Sequence, residues 1–176
     1  MEECMEYKYA SEVAAELKTQ LESGKEEIKF ASQHQTDIEA WSYFLRKYVP
    51  RAIIELGTGD GTFSEWLSTN VEWFRTFDIG EPLNKIEGFK KINIFDNKKI
   101  IEHTIQDSPF PLVLFCDNGD KPREVELFSP FLGPHDFLAV HDYQIEISGK
   151  DVPREFDLIY NYGLTAFFQM NKQFIG

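Results

Sequence analysis

Eight consecutive residues, Glu55-Leu56-Gly57-Thr58-Gly59-Asp60-Gly61-Thr62, follow the apolar run Ala52-Ile53-Ile54 and carry glycine at three alternate positions. Glycine permits positive φ and, lacking a Cβ, lets foreign atoms approach the backbone. A glycine turn leading from a strand into a helix start also aims free backbone N–H groups outward. Together these features describe a nucleotide or dinucleotide cradle at the C-terminal edge of a parallel sheet. The spacing narrows the choice. The dinucleotide fingerprint G-x-G-x-x-G would need glycine where Thr62 stands, and no Gly-Lys-Ser/Thr follows as in a phosphate-binding loop.

Carboxylates form the second pattern. Glu55, Asp78, Asp96, Asp117 and Asp142 each lie at the end of an apolar run that reads as a strand. Ligands bind outside the carboxyl ends of the strands of an open parallel sheet. Turns favour Asp for their own reasons, which accounts for one or two of these acids. Acids converging on one edge repel unless a cation, hydroxyl groups or a metal ion sits among them. Lys121 and His141 are the basic residues near these positions. Lys121 could act as a general base if burial lowered its pKa, and His141 could do so at its ordinary value.

The elements that must position these residues alternate along the chain. Ser11–Ser23 has helical spacing at Val13, Ala14, Leu17 and Leu21, with Gly24 as a stop. A second helix is expected from Thr36 or Asp37 as cap to Tyr48, burying Ile38, Trp41, Phe44 and Leu45. Strands are expected at Ala52–Leu56, Trp73–Phe77, Lys91–Phe95, Leu112–Cys116 and Phe137–Val140. Helices are expected at Thr62–Thr69, Lys98–Ile105, Pro122–Phe131 and Val152–Tyr160, with closing strands at Leu164–Met170 and Gln173–Ile175. This alternation predicts a Rossmann-like, doubly wound, mostly parallel α/β sheet with helices on both faces and an N-terminal helical layer. The 176 residues suffice for one domain, with helices over 1–50 and a ligand-binding core over 51–176.

Composition excludes several classes. A formal net charge of −12 makes the chain a poor partner for nucleic-acid phosphates or anionic membranes. No apolar stretch approaches the roughly 20 residues of a membrane span. The start, Met1-Glu2-Glu3-Cys4, lacks the basic-then-apolar pattern of a signal peptide. Cys4 and Cys116 are the only cysteines and are not expected to pair, so a reduced cytoplasmic protein is expected. The aromatic tail, Phe167, Phe168 and Phe174, could close the sheet or form a homodimer patch, and closure is the favoured reading.

An acid at a strand end followed by G-x-G-x-G resembles motif I of the class I S-adenosylmethionine-dependent methyltransferases. The resemblance implies that Glu55, Gly57, Thr58, Gly59, Gly61 and Thr62 hold the amino-acid end of S-adenosylmethionine. Asp78 matches the carboxylate that accepts from both ribose hydroxyls, and Asp96 the acid near the adenine amino group, with Ile79, Phe77 and Phe95 beside the ring. Gln33, Gln35 and Thr36 would lie near the methionine end of the cofactor.

The runs Leu112 to Lys121 and Phe137 to Tyr143 are similar to the small-molecule O-methyltransferases that act on catechols, macrolide sugars and cephalosporins. In that group the acids after strands four and five often hold Mg²⁺, so the resemblance assigns the metal to Asp117 and Asp142. Asp117 also faces the cofactor in that group, and Lys121, His141 and Asp142 become the candidate catalytic residues. Some relatives have Asp-Asn after strand five, whereas this chain has Asp142-Tyr143 and lacks that amide ligand. The expected activity is methyl transfer to a small-molecule hydroxyl. The alternatives are a non-catalytic protein that keeps the cofactor fold and an NAD-dependent oxidoreductase, against which Thr62 argues.

Overall fold

A computed structural model of the chain describes residues 35–171. The helix expected over Ser11–Ser23, residue Gln33 and the strand expected at Gln173–Ile175 lie outside the described residues. The elements run α1 (Gln35–Tyr48), β1 (Ala52–Leu56), α2 (Thr62–Ser68), β2 (Trp73–Asp78), β3 (Phe89–Lys91), α3 (Lys98–Gln106) and β4 (Leu112–Cys116). They continue with α4 (Lys121–Phe128), a 3-10 turn, β5 (Phe137–Val140), a second 3-10 turn, β6 (Phe156–Tyr162) and β7 (Thr165–Met170).

The seven strands form one sheet in the order β3-β2-β1-β4-β5-β7-β6. Strands β1 to β5 pair in parallel, and β7 alone runs the other way, antiparallel to both β5 and β6. This is a Rossmann-like, doubly wound, mostly parallel sheet. Its strand order reverses between β1 and β4, and the crevice of such a sheet opens at that reversal.

The central strands are continuous apolar runs because both faces are covered. Alternate residues point to opposite layers. Ile54, Leu56, Leu112, Leu114, Leu138, Val140 and Phe168 pack with Ile101 and Ile105 of α3 and with Val125 and Phe128 of α4. Ile53, Val113, Phe115, Phe137, Ala139 and Phe167 pack with Trp41 and Phe44 of α1 and Phe63 and Leu67 of α2. The second layer is aromatic. Phe44 stacks on Phe167 with centroids 4.1 Å apart, and Trp41 meets Phe115 and Phe167 edge-on at 4.8 and 5.0 Å.

Three expectations need correction. The third strand lies at Phe89–Lys91, not Lys91–Phe95, because Gly88 (φ 91) brings Phe89 against β2 and Thr76 pairs with Phe89. The helix expected over Pro122–Phe131 ends at Phe128, where a 3-10 turn through Pro130 takes over. Val152–Tyr160 is not a helix. Its second half is strand β6, hydrogen-bonded to β7 through a tight turn at Gly163 (φ 64). Phe156-Asp157-Leu158-Ile159-Tyr160 alternates buried and exposed side chains only in part, and a bulge near Ile159 breaks its period.

Phe167 is fully buried at the centre of the aromatic layer, whereas Leu158 is 49% exposed on the outer strand. Phe167→Ala is expected to cost about 3–5 kcal/mol in urea-unfolding free energy. Leu158→Ala is expected to stay within about 0.5 kcal/mol of the parent.

Candidate functional site

Hydrogen bonding continues one residue past each central strand. Gly57 N–H donates to Phe77 O at 2.9 Å, Asp117 N–H to Leu56 O at 2.8 Å and His141 N–H to Cys116 O at 3.1 Å. The ladder thereby sets the glycine turn, Asp117 and His141 side by side at the C-terminal edge of the sheet. A Cβ on Gly57 (φ 104) would stand 2.5 Å from the backbone oxygen of Asp117, so this position closes the seam between the two loops and must be glycine. Gly59 (φ 57) is the opposite case: nothing lies within 4 Å of where its Cβ would be. The middle of the turn therefore faces open space.

Three side chains hold the turn. The Asp78 carboxylate accepts from Gly59 N–H at 3.0 Å and Gly80 N–H at 2.9 Å, one bond to each oxygen. Glu55 is buried beneath the turn and accepts from the hydroxyls of Ser64 and, at 2.6 Å, Thr76. Thr58 meets Thr76 at 2.7 Å. Because Thr76 gives its single proton to Glu55, Thr58 is the donor in that pair. Burial pushes Glu55 up to about 8, against the pull of these hydroxyl bonds. The structure thus places Glu55 under the turn it shapes, in contact with Ser64 and Thr76 and not with the open crevice.

The acids after β4 and β5 meet two cations. Lys121, at the first position of α4, is only 4% exposed. Its ammonium donates to Glu146 at 2.6 Å, to Asp142 at 3.1 Å and to the Asn118 backbone oxygen at 3.1 Å, with Asp117 at 3.9 Å. The His141 ring lies between carboxylates on both sides. Nδ1 is 3.0 Å from Asp117 and 3.4 Å from Asp142, and Nε2 is 3.6 Å from Asp37. Asp142 adopts φ 52, a left-handed conformation that Asp tolerates, and this turns its side chain toward Lys121 and His141.

Electrostatics follow from these contacts. Burial opposes the His141 imidazolium, but Asp117 and Asp37 outweigh it and its pKa is pushed up to about 10. Burial likewise opposes the Lys121 ammonium, yet Glu146, Asp142 and Asp117 hold it above its ordinary value. The condition for Lys121 to act as a base, a lowered pKa, is therefore not met in this arrangement. His141, expected at its ordinary value, is instead a cation at neutral pH. Burial raises Asp117, and the neighbouring His141 and Lys121 pull it back. Glu124, fully buried on α4, accepts weakly from Asn118 N–H at 3.3 Å, and burial pushes it up to about 8.

The remaining expected site residues fall elsewhere. Ile79 is 68% exposed beside Asp78. Thr62 begins α2, its N–H bonded to Asp60 at 2.9 Å, and the Gly61 before it (φ 88) packs under Pro82 and Ile86. Phe77 is buried against α3, in the sheet core. Asp96 is exposed in the loop after β3, and its side chain makes no hydrogen bond or ion pair among the described residues. Sequence reading missed Asp37. It lies in the first turn of α1, where its Oδ1 accepts from Leu164 N–H at 2.8 Å and Thr165 Oγ1 at 3.1 Å, in the turn between β6 and β7. An acid in a first helical turn was the only signal available; its partners come from the far end of the chain.

No family model matches the sequence, and no curated protein matches it. Solved structures match in fold. The MycE methyltransferase of the mycinamycin biosynthetic pathway, in complex with Mg and SAH, superposes with a TM-score of 0.51 at 15% identity. That match covers 77% of this chain and 47% of MycE, so the chain spans about half the length of that protein. An S-adenosyl-L-methionine methyltransferase from Silicibacter pomeroyi DSS-3 gives 0.53 at 12% identity over 76% of this chain and 91% of its own. CmcI with SAH gives 0.50 at 12% identity over 62% and 61%. Identities this low establish the shared fold.

Three of the raised groups act on stability with the same sign. Folded Glu55, Glu124 and His141 each bind protons more tightly than their unfolded counterparts. Their contribution to stability is complete below the unfolded pKa and is lost as pH rises through the folded one. The window runs from the ordinary Glu value of 4.5 to about 8 for the two acids, and from 6.5 to about 10 for His141. Thermal unfolding midpoints are expected to fall steadily across the neutral-to-alkaline range. Glu124→Gln should reduce the slope below the folded Glu value to the part due to Glu55 and His141, while leaving the alkaline part set by His141.

Proposed function

We propose that this chain forms a single S-adenosylmethionine-binding domain that transfers a methyl group to a hydroxyl of a small molecule. The observation that carries the reading is the open glycine turn beside Asp78, set next to the Asp117–Asp142 pair at the strand reversal. The residues present fit the cofactor. Gly59 leaves room for it, and each Asp78 oxygen accepts one backbone N–H and keeps lone pairs for ribose hydroxyls. Ile79 offers an apolar surface at the rim. Glu55 acts through Ser64, Thr76 and Thr58 as a positioning residue. Asp96, exposed in the loop after β3, would face the adenine amino group. The bound cofactor supplies an electrophilic methyl group on a sulfonium.

The residues do not fit Mg²⁺ as well. Asp117, His141 and Asp142 each offer an atom within 4.8 Å of the others. A metal-binding imidazole needs a bare nitrogen. The nitrogen of His141 that faces the acid pair, Nδ1, already lies 3.0 Å from Asp117 and 3.4 Å from Asp142 as their donor. The Lys121 ammonium already lies among the oxygens that would ligate the ion.

The chain's own residues account for the acceptor end. Asp142 is the more accessible acid of the pair, with its side chain 24% exposed against 15% for Asp117. An acceptor hydroxyl donating to Asp142 is oriented by that bond, and Asp142 takes its proton as the oxygen gains the methyl group. The proton then passes to water from the exposed side. The His141 cation holds Asp117 in place, and Asp37 holds His141. The setting read for the chain is cytoplasmic; among the described residues no helix is long and apolar enough to cross a membrane.

Calorimetric titration of S-adenosylmethionine and S-adenosylhomocysteine tests the reading, with NAD as comparison. Micromolar affinity for both sulfur compounds is expected, weakened about tenfold or more by Asp78→Ala, which removes a charged acceptor worth about 1.5–3 kcal/mol. Binding of NAD alone, or of neither sulfur compound, would contradict it.

A further inference from the structure

The acid cluster at the acceptor end is already neutralised, and the neutralising group is fixed in the fold. Lys121 opens α4 directly behind Asp120, whose side chain caps that helix by accepting from Arg123 N–H at 3.4 Å. The cap sets the direction in which the lysine leaves the backbone. Its ammonium has three protons, and three acceptors take them: Glu146 Oε2, Asp142 Oδ2 and Asn118 O. Asp117 Oδ1 stands at 3.9 Å, the remaining oxygen of the pair that would hold an ion. The side chain is 4% exposed, so this cation does not exchange with solvent as a surface lysine does.

We infer that the Lys121 ammonium is the built-in cation of this site, seated against Asp117 and Asp142, the two acids that would hold a divalent metal, so that the site works without a metal. The inference deepens the proposed acceptor site and rests on that reading. It also sets the acceptor class. A divalent ion favours acceptors that chelate through two neighbouring oxygens. An ammonium whose protons are already shared among carboxylates gives no advantage to a chelating pair. The site is therefore suited to an acceptor presenting a single hydroxyl to Asp142. Glu146 completes the arrangement from the loop after β5, where its side chain is 49% exposed, and it is the partner an incoming acceptor can displace.

Mn²⁺ electron paramagnetic resonance on the full chain tests this directly, with no sulfonium ligand present. The wild-type protein is expected to leave the free-ion signal undiminished. Lys121→Met should bind Mn²⁺ at least about tenfold more tightly than wild type, because two carboxylates lose their cation. That gain should disappear in Lys121→Met combined with Asp142→Asn. Lys121→Gln serves the same purpose should the methionine variant fail to fold by circular dichroism. Tight Mn²⁺ binding by wild type, lost in Asp142→Asn, would overturn the inference. So would a folded lysine variant that gains no affinity. A protein that binds no sulfur cofactor in calorimetry yet shows this Mn²⁺ pattern would refute the methyltransferase reading and leave the lysine assignment standing.

Discussion

Carboxylates gathered at one edge of a sheet and partly withdrawn from water must each find a donor, or the fold that gathers them is lost. This constraint shapes the C-terminal edge of the molecule. Glu55 takes two hydroxyl protons, Asp78 takes two backbone N–H groups, and Asp117 and Asp142 share Lys121 and His141. Asp96, left exposed, needs no partner. The compensation is of three different kinds, and each kind has a different consequence. Hydroxyls under Glu55 stiffen the turn. Backbone donors at Asp78 hold the turn against β2 while leaving that acid able to accept more. Cations at Asp117 and Asp142 fix the charge of the opposite side of the crevice.

The same constraint ties distant parts of the chain together. His141 is held on one side by Asp117, at the end of β4, and on the other by Asp37, in α1. Asp37 in turn anchors the turn between β6 and β7 through Leu164 and Thr165. A Cβ on Gly163 would lie 2.9 Å from Asp37 Oδ1, so the hairpin turn and the helix start fit closely. The aromatic layer formed by Trp41, Phe44 and Phe167 lies under this connection and supplies the apolar burial that makes it affordable. Packing of α1 and the ionic state of the crevice are therefore linked through one imidazole.

Much of this was legible in the sequence. β1, β4 and β5 coincide with the runs Ala52–Leu56, Leu112–Cys116 and Phe137–Val140, because strands covered on both faces are uninterrupted apolar runs bounded by turn residues. The repulsion among strand-end acids was also legible, as the demand for a compensating group. Its answer was not. Lys121 reads as a polar residue before a helix, and only the fold shows that it is buried and surrounded by acids. β6 read as a helix because its pairing with β7 depends on the Gly163 turn and on contacts far along the chain, which local periodicity does not encode. β3 is three residues long and set by a glycine two residues from a charged pair, Lys90-Lys91, so its register carried little apolar signal.

The central claim is that the open glycine turn and Asp78 together form a cofactor cradle. Amide chemical shifts measure it residue by residue. In a nitrogen–proton correlation spectrum with added S-adenosylhomocysteine, the account predicts that the largest perturbations fall on Gly59, Gly80 and the residues around Asp78, with smaller changes at Asp117 and Asn118. Perturbations confined to other parts of the sheet, or a spectrum unchanged at saturating ligand, would contradict it.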